Sequence, residues 1–244
     1  MKSVLITGAA KRIGRGLALG FAAAGWHVFA HYNTSRDEAL SLAGEISATP
    51  VQADLGSEQE ARGLIATCLA DGNLQCVINS ASVFDYDFAD ALDSDIWQSA
   101  QAVNLYAPVI MAEEFHTFAK ANDKKSCVIN MLDNKVFALN PDYFSYTVAK
   151  AGLLAATRMQ AMAFAPVLRV CGIAPGITLI SGDQSPENFT KTKAINPLGK
   201  GCTVDDLVGS ALFIATGTYA SGQVLTVDGG QAMINLPRDV AYLT

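Results

Sequence analysis

Short apolar runs alternate along the chain with longer stretches of helical periodicity. Runs of four to six residues, rich in β-branched side chains, lie at 4–7, 27–32, 50–54, 76–79, 127–132, 169–174 and 223–227. Such runs are typical of strands buried on both faces. Between them, the periodicity predicts helices at roughly 14–24, 36–46, 57–70, 98–121, 144–165 and 204–216. The alternation predicts one α/β domain over residues 1–244, with about seven strands in a doubly wound parallel sheet and helices on both faces.

One segment, 177–203, departs from this alternation. It contains clusters of polar residues, two prolines and little periodicity. Long irregular segments inside a compact domain are usually functional. We therefore expect 177–203 to form a lid over the substrate.

Composition and charge exclude several classes of function. The net charge is −6 and no basic run exceeds two residues, which is unlike a nucleic-acid-binding protein. Every apolar run is far shorter than the ~20 residues that span a bilayer, so no membrane partner is expected. Five widely spaced cysteines indicate a reducing, cytoplasmic location. Three histidines without ligand spacing predict no metal site.

A glycine-containing turn follows the first predicted strand and leads directly into a helix. Its sequence is TGAAKRIG, from Thr7 to Gly14. Small residues there let the backbone approach a pyrophosphate, and the helix N-terminus directs N–H groups and its dipole at that anion. In this strand–turn–helix context the motif predicts a dinucleotide site.

This turn is the first of six segments that resemble, in order, the motifs of the short-chain dehydrogenase/reductase family. The other five are Asn79-Ser80-Ala81-Ser82, Asn104, Tyr146-Thr147-Val148-Ala149-Lys150, Ala174-Pro175-Gly176 and Asp228-Gly229-Gly230. The resemblance covers the whole chain. It implies a Rossmann-like fold, an NAD(P)-dependent oxidoreductase and, through pairing of helices 98–121 and 144–165, a homotetramer.

The end of the second strand predicts which nicotinamide cofactor is used. An acidic residue there would bind the ribose 2′-hydroxyl and repel a 2′-phosphate, but the chain reads HYNTSR, with Tyr32 at the strand end and Arg36 following. NADP(H) is therefore favoured, although Arg36 could simply begin a solvated helix. By resemblance, Asp54 contacts the adenine. The full set of expected cofactor ligands is Gly8, Arg12, Ile13, Gly14, Tyr32, Asn33, Ser35, Arg36, Asp54, Leu55, Asn79, Ser80, Ala81, Tyr146, Lys150, Pro175 and Gly176.

The candidate proton donor is Tyr146. Tyr146 and Lys150 share one face of a predicted helix because they are four residues apart. The ammonium and a positive nicotinamide ring would lower the tyrosine pKa from ~10 towards neutrality. Tyr146 is then the acid and Lys150 its electrostatic partner and a ribose ligand. By resemblance, Asn104 supports a water that connects Lys150 to solvent.

The chain departs from the main branch of the family at Asp133. That branch has a serine thirteen residues before the tyrosine, where this chain has Asp133. A carboxylate opposes the oxyanion of ketone reduction, whereas an acid can supply the proton that C=N reduction requires. With Arg12 and Phe84, this resembles the pteridine reductase branch, in which Phe84 would stack on a pterin. The expected substrate ligands are Arg12, Ser82, Phe84, Asp133 and Tyr146.

The function expected from these residues is NADPH-dependent reduction of a pterin-like C=N bond, in a dihydropteridine or dihydrofolate. A carbonyl reductase of 3-oxoacyl or small-ketone type is the main alternative, and a cofactor-binding sensor without turnover is a second. Each distinguishing residue also has a structural interpretation: Asp133 could cap a turn, Phe84 could belong to the core, and Arg12 could be a surface residue.

Overall fold

A computed structural model describes residues 1–70, 73–181 and 184–243. Its sheet confirms the expected α/β fold, with seven parallel strands in the order β3-β2-β1-β4-β5-β6-β7. The strands are β1 Ser3–Ile6, β2 His27–Tyr32, β3 Thr49–Gln52, β4 Leu74–Asn79, β5 Ser126–Met131, β6 Leu168–Pro175 and β7 Val224–Val227. The strand order reverses between β1 and β4, and in such sheets the crevice at the reversal is where ligands bind.

Eight α-helices are found in the described residues: α1 Arg12–Ala23, α2 Arg36–Ile46, α3 Glu58–Leu69, α4 Ser94–Gln101, α5 Ala107–Ala121, α6 Phe144–Ala163, α7 Pro186–Thr192 and α8 Val204–Thr216. The prediction of a single helix at 98–121 was wrong in both its start and its continuity. It begins earlier because the Asp93 carboxylate accepts hydrogen bonds from the N–H groups of Asp95 and Ile96. A π-helical turn, Ala102–Tyr106, then separates α4 from α5.

The segment 177–203 also differs from the irregular lid that its composition predicts. It contains α7, whose first turn is set by Pro186 and by the Ser185 hydroxyl, which accepts a hydrogen bond from the Asn188 N–H. Residues 182 and 183 of this segment lie outside the described residues. A helix of seven residues gives almost no periodic signal, which explains why the sequence pattern did not predict it.

Two apolar layers enclose the sheet and fix its position between the helices. Along β1, Val4 and Ile6 pack on one side in a cluster with Phe21 of α1, whereas Leu5 packs on the other side with Phe115 of α5. All five side chains are fully buried. Successive strand residues point to opposite faces, so an unbroken apolar run supplies both layers.

Across 1–70, 73–181 and 184–243, none of the helices combines the length and the apolarity that crossing a membrane requires. In the same residues, no group of three or more His, Cys, Asp or Glu side chains is placed to hold a metal ion.

Candidate active site

A cleft of about 730 Å³ opens at the carboxyl ends of the strands. It is lined by the turns that follow β1 to β6 and by parts of residues 177–181 and 231–240. Most of the expected cofactor ligands line it: Gly8, Arg12, Ile13, Gly14, Tyr32, Asn33, Ser35, Asp54, Leu55, Ser80, Ala81, Tyr146, Lys150, Pro175 and Gly176. All five expected substrate ligands, Arg12, Ser82, Phe84, Asp133 and Tyr146, line it as well.

The turn after β1 has the shape that a pyrophosphate requires. Gly8 has φ +66°, and a Cβ atom at Gly14 would lie 2.1 Å from the Gly8 carbonyl oxygen, so larger residues are excluded. The Thr7 hydroxyl accepts hydrogen bonds of 2.9 Å from the N–H groups of Ser80 and Ala81. This contact holds the turns after β1 and β4 together. The first turn of α1 contains no acidic residue that would repel an anion.

His31 is a positioning residue that no sequence motif indicates. Its buried imidazole lies between two neighbouring loops: Nδ1 accepts a hydrogen bond from the Gly8 N–H at 3.1 Å, and Nε2 lies 3.1 Å from the Ala53 carbonyl oxygen. Because Nδ1 accepts, the proton of the neutral ring is on Nε2 and is donated to Ala53. Burial lowers the pKa of His31, which favours this neutral form.

Two of the expected cofactor ligands do not line the cleft. The Asn79 side chain is buried and donates a 2.7 Å hydrogen bond to the Asn130 side-chain oxygen, which joins β4 to β5. Arg36 begins α2 and is exposed to solvent, as its structural interpretation predicts. Lys11, which was not among the expected ligands, lines the cleft and forms a 2.8 Å ion pair with Glu38.

Asp133, Tyr146 and Lys150 meet at the inner end of the cleft. The Tyr146 hydroxyl donates a 2.8 Å hydrogen bond to Asp133 Oδ2, across thirteen residues of sequence. Lys150 Nζ donates to the Met131 carbonyl at 2.7 Å and lies 5.7 Å from the centroid of the Tyr146 ring. Asp133 Oδ1 accepts from the Lys135 N–H at 2.8 Å, so this residue caps the following turn and also binds the tyrosine.

The pKa values of these groups are shifted by burial and by one another. Burial raises the pKa of Asp133, against the lowering effect of the hydrogen bonds from the Lys135 N–H and Tyr146. It lowers the pKa of Lys150 to about 8. Burial and the charge of Asp133 raise the pKa of Tyr146 well above its ordinary value, opposite to the expected shift. The physical reason is that the hydroxyl is buried and contacts a carboxylate, while the lysine ammonium donates to a backbone carbonyl.

Asn104 lies in the π-helical turn, and both ends of its amide pair with one residue. Its Oδ1 accepts from the Val83 N–H at 2.9 Å, and its Nδ2 donates to the Val83 carbonyl at 2.9 Å. The side chain therefore fixes the loop after β4, immediately before Phe84. The expected role of Asn104 in supporting a water near Lys150 stays a prediction.

Aromatic rings cluster next to Tyr146, and one of them, Phe84, lines the cleft. Phe84 is half-buried and stacks on Tyr143, with ring centroids 4.1 Å apart and planes at 17°. The rings of Phe84 and Tyr146 are T-shaped, with centroids 4.7 Å apart. The nearby Ser82 hydroxyl donates a 3.2 Å hydrogen bond to the Val83 carbonyl. Phe84 thus belongs to an aromatic cluster and to the cleft lining at once.

Arg12 joins the turn after β1 to residues 177–203. Its backbone is in the left-handed region with φ +54°, which is uncommon for a side chain of this size. Its guanidinium donates a 2.7 Å hydrogen bond to the Ile180 carbonyl. The side chain therefore lies across the cleft entrance, within reach of both the turn and the expected lid.

Comparison with known proteins then identifies the family. A family model described as enoyl-(acyl carrier protein) reductase matches residues 8–232. The chain belongs to the short-chain dehydrogenase/reductase family. This assignment confirms the resemblance that the six sequence motifs indicate.

Solved structures and curated proteins give two kinds of relative. A FolM alternative dihydrofolate reductase 1 from Brucella suis, in complex with NADP, is similar with TM-score 0.90 and 37% identity over 96% of each chain. The Brucella canis protein, also complexed with NADP, has TM-score 0.88 and 36% identity, covering 96% of this chain and 95% of that one. The 3-oxoacyl-[acyl-carrier-protein] reductase FabG of Staphylococcus aureus is 26% identical, covering 95% of this chain and 98% of its own length. The Synechocystis 3-oxoacyl-[acyl-carrier-protein] reductase is 28% identical, covering 94% and 96%.

Proposed function

We propose that this protein is an NADPH-dependent reductase that acts on the C=N bond of a dihydropteridine or of dihydrofolate. The observation that carries the proposal is the 2.8 Å hydrogen bond from Tyr146 to Asp133, which puts an acid at the position where the main branch of the family has serine. The similarity to NADP-complexed FolM structures at 36–37% identity, above the 26–28% of the 3-oxoacyl reductases, supports it.

The residues present fit an NADP(H) cofactor. The tight turn between Gly8 and Gly14, whose close approach leaves no space for a side chain at Gly14, can hold the pyrophosphate at the N-terminus of α1. Tyr32, Asn33 and Ser35 offer hydrogen-bonding groups beyond β2, and Lys11 adds a cation. When bound, NADPH supplies the hydride that the substrate carbon receives.

The protein supplies the proton and the orientation. Reduction of C=N adds one hydride to carbon and one proton to nitrogen. In its protonated form, Asp133 can pass a proton to a ring nitrogen, and the Tyr146 hydroxyl, which donates to Asp133 Oδ2, stabilises the carboxylate that is left. The raised pKa of Asp133 favours this exchange closer to neutral pH than an ordinary aspartate would allow. Tyr143 covers one face of Phe84, and since Phe84 also lines the cleft, a flat bicyclic ring can pack against the side of the ring that Tyr143 leaves open.

The competing function is reduction of a 3-oxoacyl thioester, which the similarity to FabG favours. Purified protein should be assayed with NADPH and with NADH against a dihydropteridine, dihydrofolate and a 3-oxoacyl thioester. We expect NADPH and the reduced pterins to give the highest kcat/KM. Preference for the thioester would replace the proposal with the carbonyl reductase, and NADPH binding without turnover of any substrate would indicate a sensor.

We further propose that the protein is a homotetramer. Met159 and Met162 on α6 are 61% and 75% exposed, more apolar surface than a solvated helix normally carries, which supports pairing of α6 in a homotetramer. Light scattering should give four times the mass of the chain, and a monomer at all concentrations would refute this.

We also propose a cytoplasmic location. Thr178, Leu179 and Ser181 line the cleft, which supports a lid role for 177–203.

A further inference from the structure

The C-terminal tail, residues 234–243, forms part of the cleft that no sequence motif indicated. Ile234, Leu236, Asp239 and Val240 line it together with Asp133 and Tyr146. The charge of Asp239 is also among the causes that raise the pKa of Tyr146, in agreement with this proximity. Three apolar side chains and one carboxylate would suit the edge of a flat ring that carries N–H donors.

The tail is anchored by one buried carboxylate, Asp142, on the loop before α6. Its two oxygens accept from Arg238 Nε at 2.8 Å and from Arg238 Nη2 at 2.7 Å, which is the bidentate geometry. They also accept from the Asp239 N–H at 2.7 Å and from the Tyr86 hydroxyl at 3.2 Å. Asp142 is fully buried, so these donors replace its hydration. We call Asp142, Arg238, Asp239 and Tyr86 the Asp142 clamp.

The same contacts connect the clamp to the proton-relay residues. Lys135 Nζ donates to the Asp142 carbonyl at 2.5 Å and lies 3.3 Å from Asp239 Oδ2. Lys135 is the residue whose backbone N–H binds Asp133. On the outer side, the Arg238 guanidinium lies over the Tyr242 ring at 5.2 Å. The tail and the turn after Asp133 are therefore held in one network.

We propose that Asp142 is a positioning residue for substrate binding. By holding Arg238 and Asp239, it fixes the C-terminal tail as the wall of the cleft that selects the substrate. The identity of the substrate, a reduced pterin, rests on the proposed function. The position of the wall does not. The clamp has no contact with the nucleotide-binding turn among the hydrogen bonds and ion pairs of the described residues. Its loss should therefore affect substrate and cofactor differently.

The test compares Arg238→Gln, Arg238→Lys and Asp142→Asn with Arg62→Gln. Arg62 is a matched control, since it also binds several carboxylates, Glu58, Glu113 and Glu114, but does not line the cleft. Arg238 is 44% exposed on its side chain, so Arg238→Gln should fold even if Asp142→Asn does not. Measurements are hydrogen exchange of the tail amides, KM and kcat for dihydrofolate and for a 3-oxoacyl thioester, and NADPH affinity by fluorescence titration.

We expect faster exchange of the tail in Arg238→Gln, a KM for dihydrofolate raised about tenfold, corresponding to ~1.4 kcal/mol, and NADPH affinity within about twofold of the wild type. Arg238→Lys should recover part of the loss because it keeps the charge but not the bidentate fork. Arg62→Gln should change neither KM nor tail exchange.

Three results in Arg238→Gln would overturn the proposal. The first is unchanged hydrogen exchange of the tail, and the second is faster exchange with an unchanged KM for the substrate. The third is an equal weakening of substrate and NADPH binding, because that would indicate a merely structural role. If the wild type reduces only the thioester, the proposed function fails, and the same KM comparison with the thioester decides the role of the tail. If the wild type reduces neither substrate, both proposals fail.

Discussion

The two ends of the cleft are built in different ways. At the nucleotide end, the backbone of Gly8, held by His31, forms a turn directly after a strand, and the Thr7 hydroxyl joins this turn to the loop after β4. At the substrate end, the pocket is assembled from side chains of separate segments, such as Phe84, Asp133 and Asp239. A turn that needs small residues leaves a short local motif, whereas a wall of distant side chains leaves none. The nucleotide end therefore defines the family, and the substrate end distinguishes its members.

The largest expected effect is at the substrate end, in Tyr146→Phe. Loss of the hydroxyl removes the donor to Asp133, so kcat should fall by about 10²–10⁴, the range for lost general acid catalysis. NADPH binding should be nearly unchanged, because the ring is kept and the nucleotide turn is not touched. Steady-state kinetics with a fluorescence titration of NADPH would check both. Turnover retained in a folded variant would mean that the proton has another source.

The next effect is at the nucleotide end, in His31→Phe. The substitution leaves the Gly8 N–H and the Ala53 carbonyl unpaired, which should cost about 1–3 kcal/mol of unfolding free energy per buried group. KM for NADPH should rise while kcat at saturation is kept. The pKa of His31 is lowered in the folded state, so wild-type stability should fall as the pH drops below the unfolded value of about 6.5. The variant should lack that component of acid sensitivity, and urea unfolding at pH 7 and pH 5 would show whether it does.

A smaller effect should separate two candidate cations for the 2′-phosphate. Lys11→Gln should raise KM for NADPH by about tenfold, ~1.4 kcal/mol, because Lys11 lines the cleft. Arg36→Gln should change it by less than about twofold, because that side chain lies outside the cleft lining. KM for NADH is the control and should not change in either variant. A larger loss in Arg36→Gln would return the phosphate-binding role to Arg36.

The smallest effect concerns stability at Asp133. The pKa of Asp133 is raised in the folded state, so the buried carboxylate destabilises the protein at pH values above that pKa. This destabilisation disappears when the pH falls below the pKa of an aspartate in the unfolded chain, about 3.9. Asp133→Asn removes the charge and keeps one oxygen to accept from the Lys135 N–H, while its amide nitrogen can donate to the Tyr146 hydroxyl. Its Tm should be about 2–4 °C higher at pH 7, the shift expected for ~1 kcal/mol in a domain of this size. Calorimetry should show the difference vanishing towards pH 4; a lower Tm at pH 7 would contradict the sign.

The sequence predicted the fold better than the site because strands and motifs are local. Strand β2 and helix α2 have the predicted bounds, 27–32 and 36–46. Helix α7 was missed because it is short, and the π-helical turn because it does not interrupt the apolar pattern. The Asp142–Arg238 pair joins residues 96 apart, and no periodicity reports such a contact. The family resemblance placed Asp133 and Tyr146 in one site, where the structure brings them together, but the direction of the tyrosine pKa shift depended on burial and on which groups contact the hydroxyl.

The central claim is that Asp133 adapts this site to C=N reduction, and its most direct test is kcat/KM for a dihydropteridine and an activated ketone in three folded proteins. In Asp133→Asn, which cannot transfer a proton, pterin reduction should fall by about 10² or more. In Asp133→Ser, which restores a hydroxyl donor and removes the opposing charge, ketone reduction should rise as pterin reduction falls. A wild type that ignores pterins, with ketone reduction lost in both variants, would contradict the account and identify a carbonyl reductase.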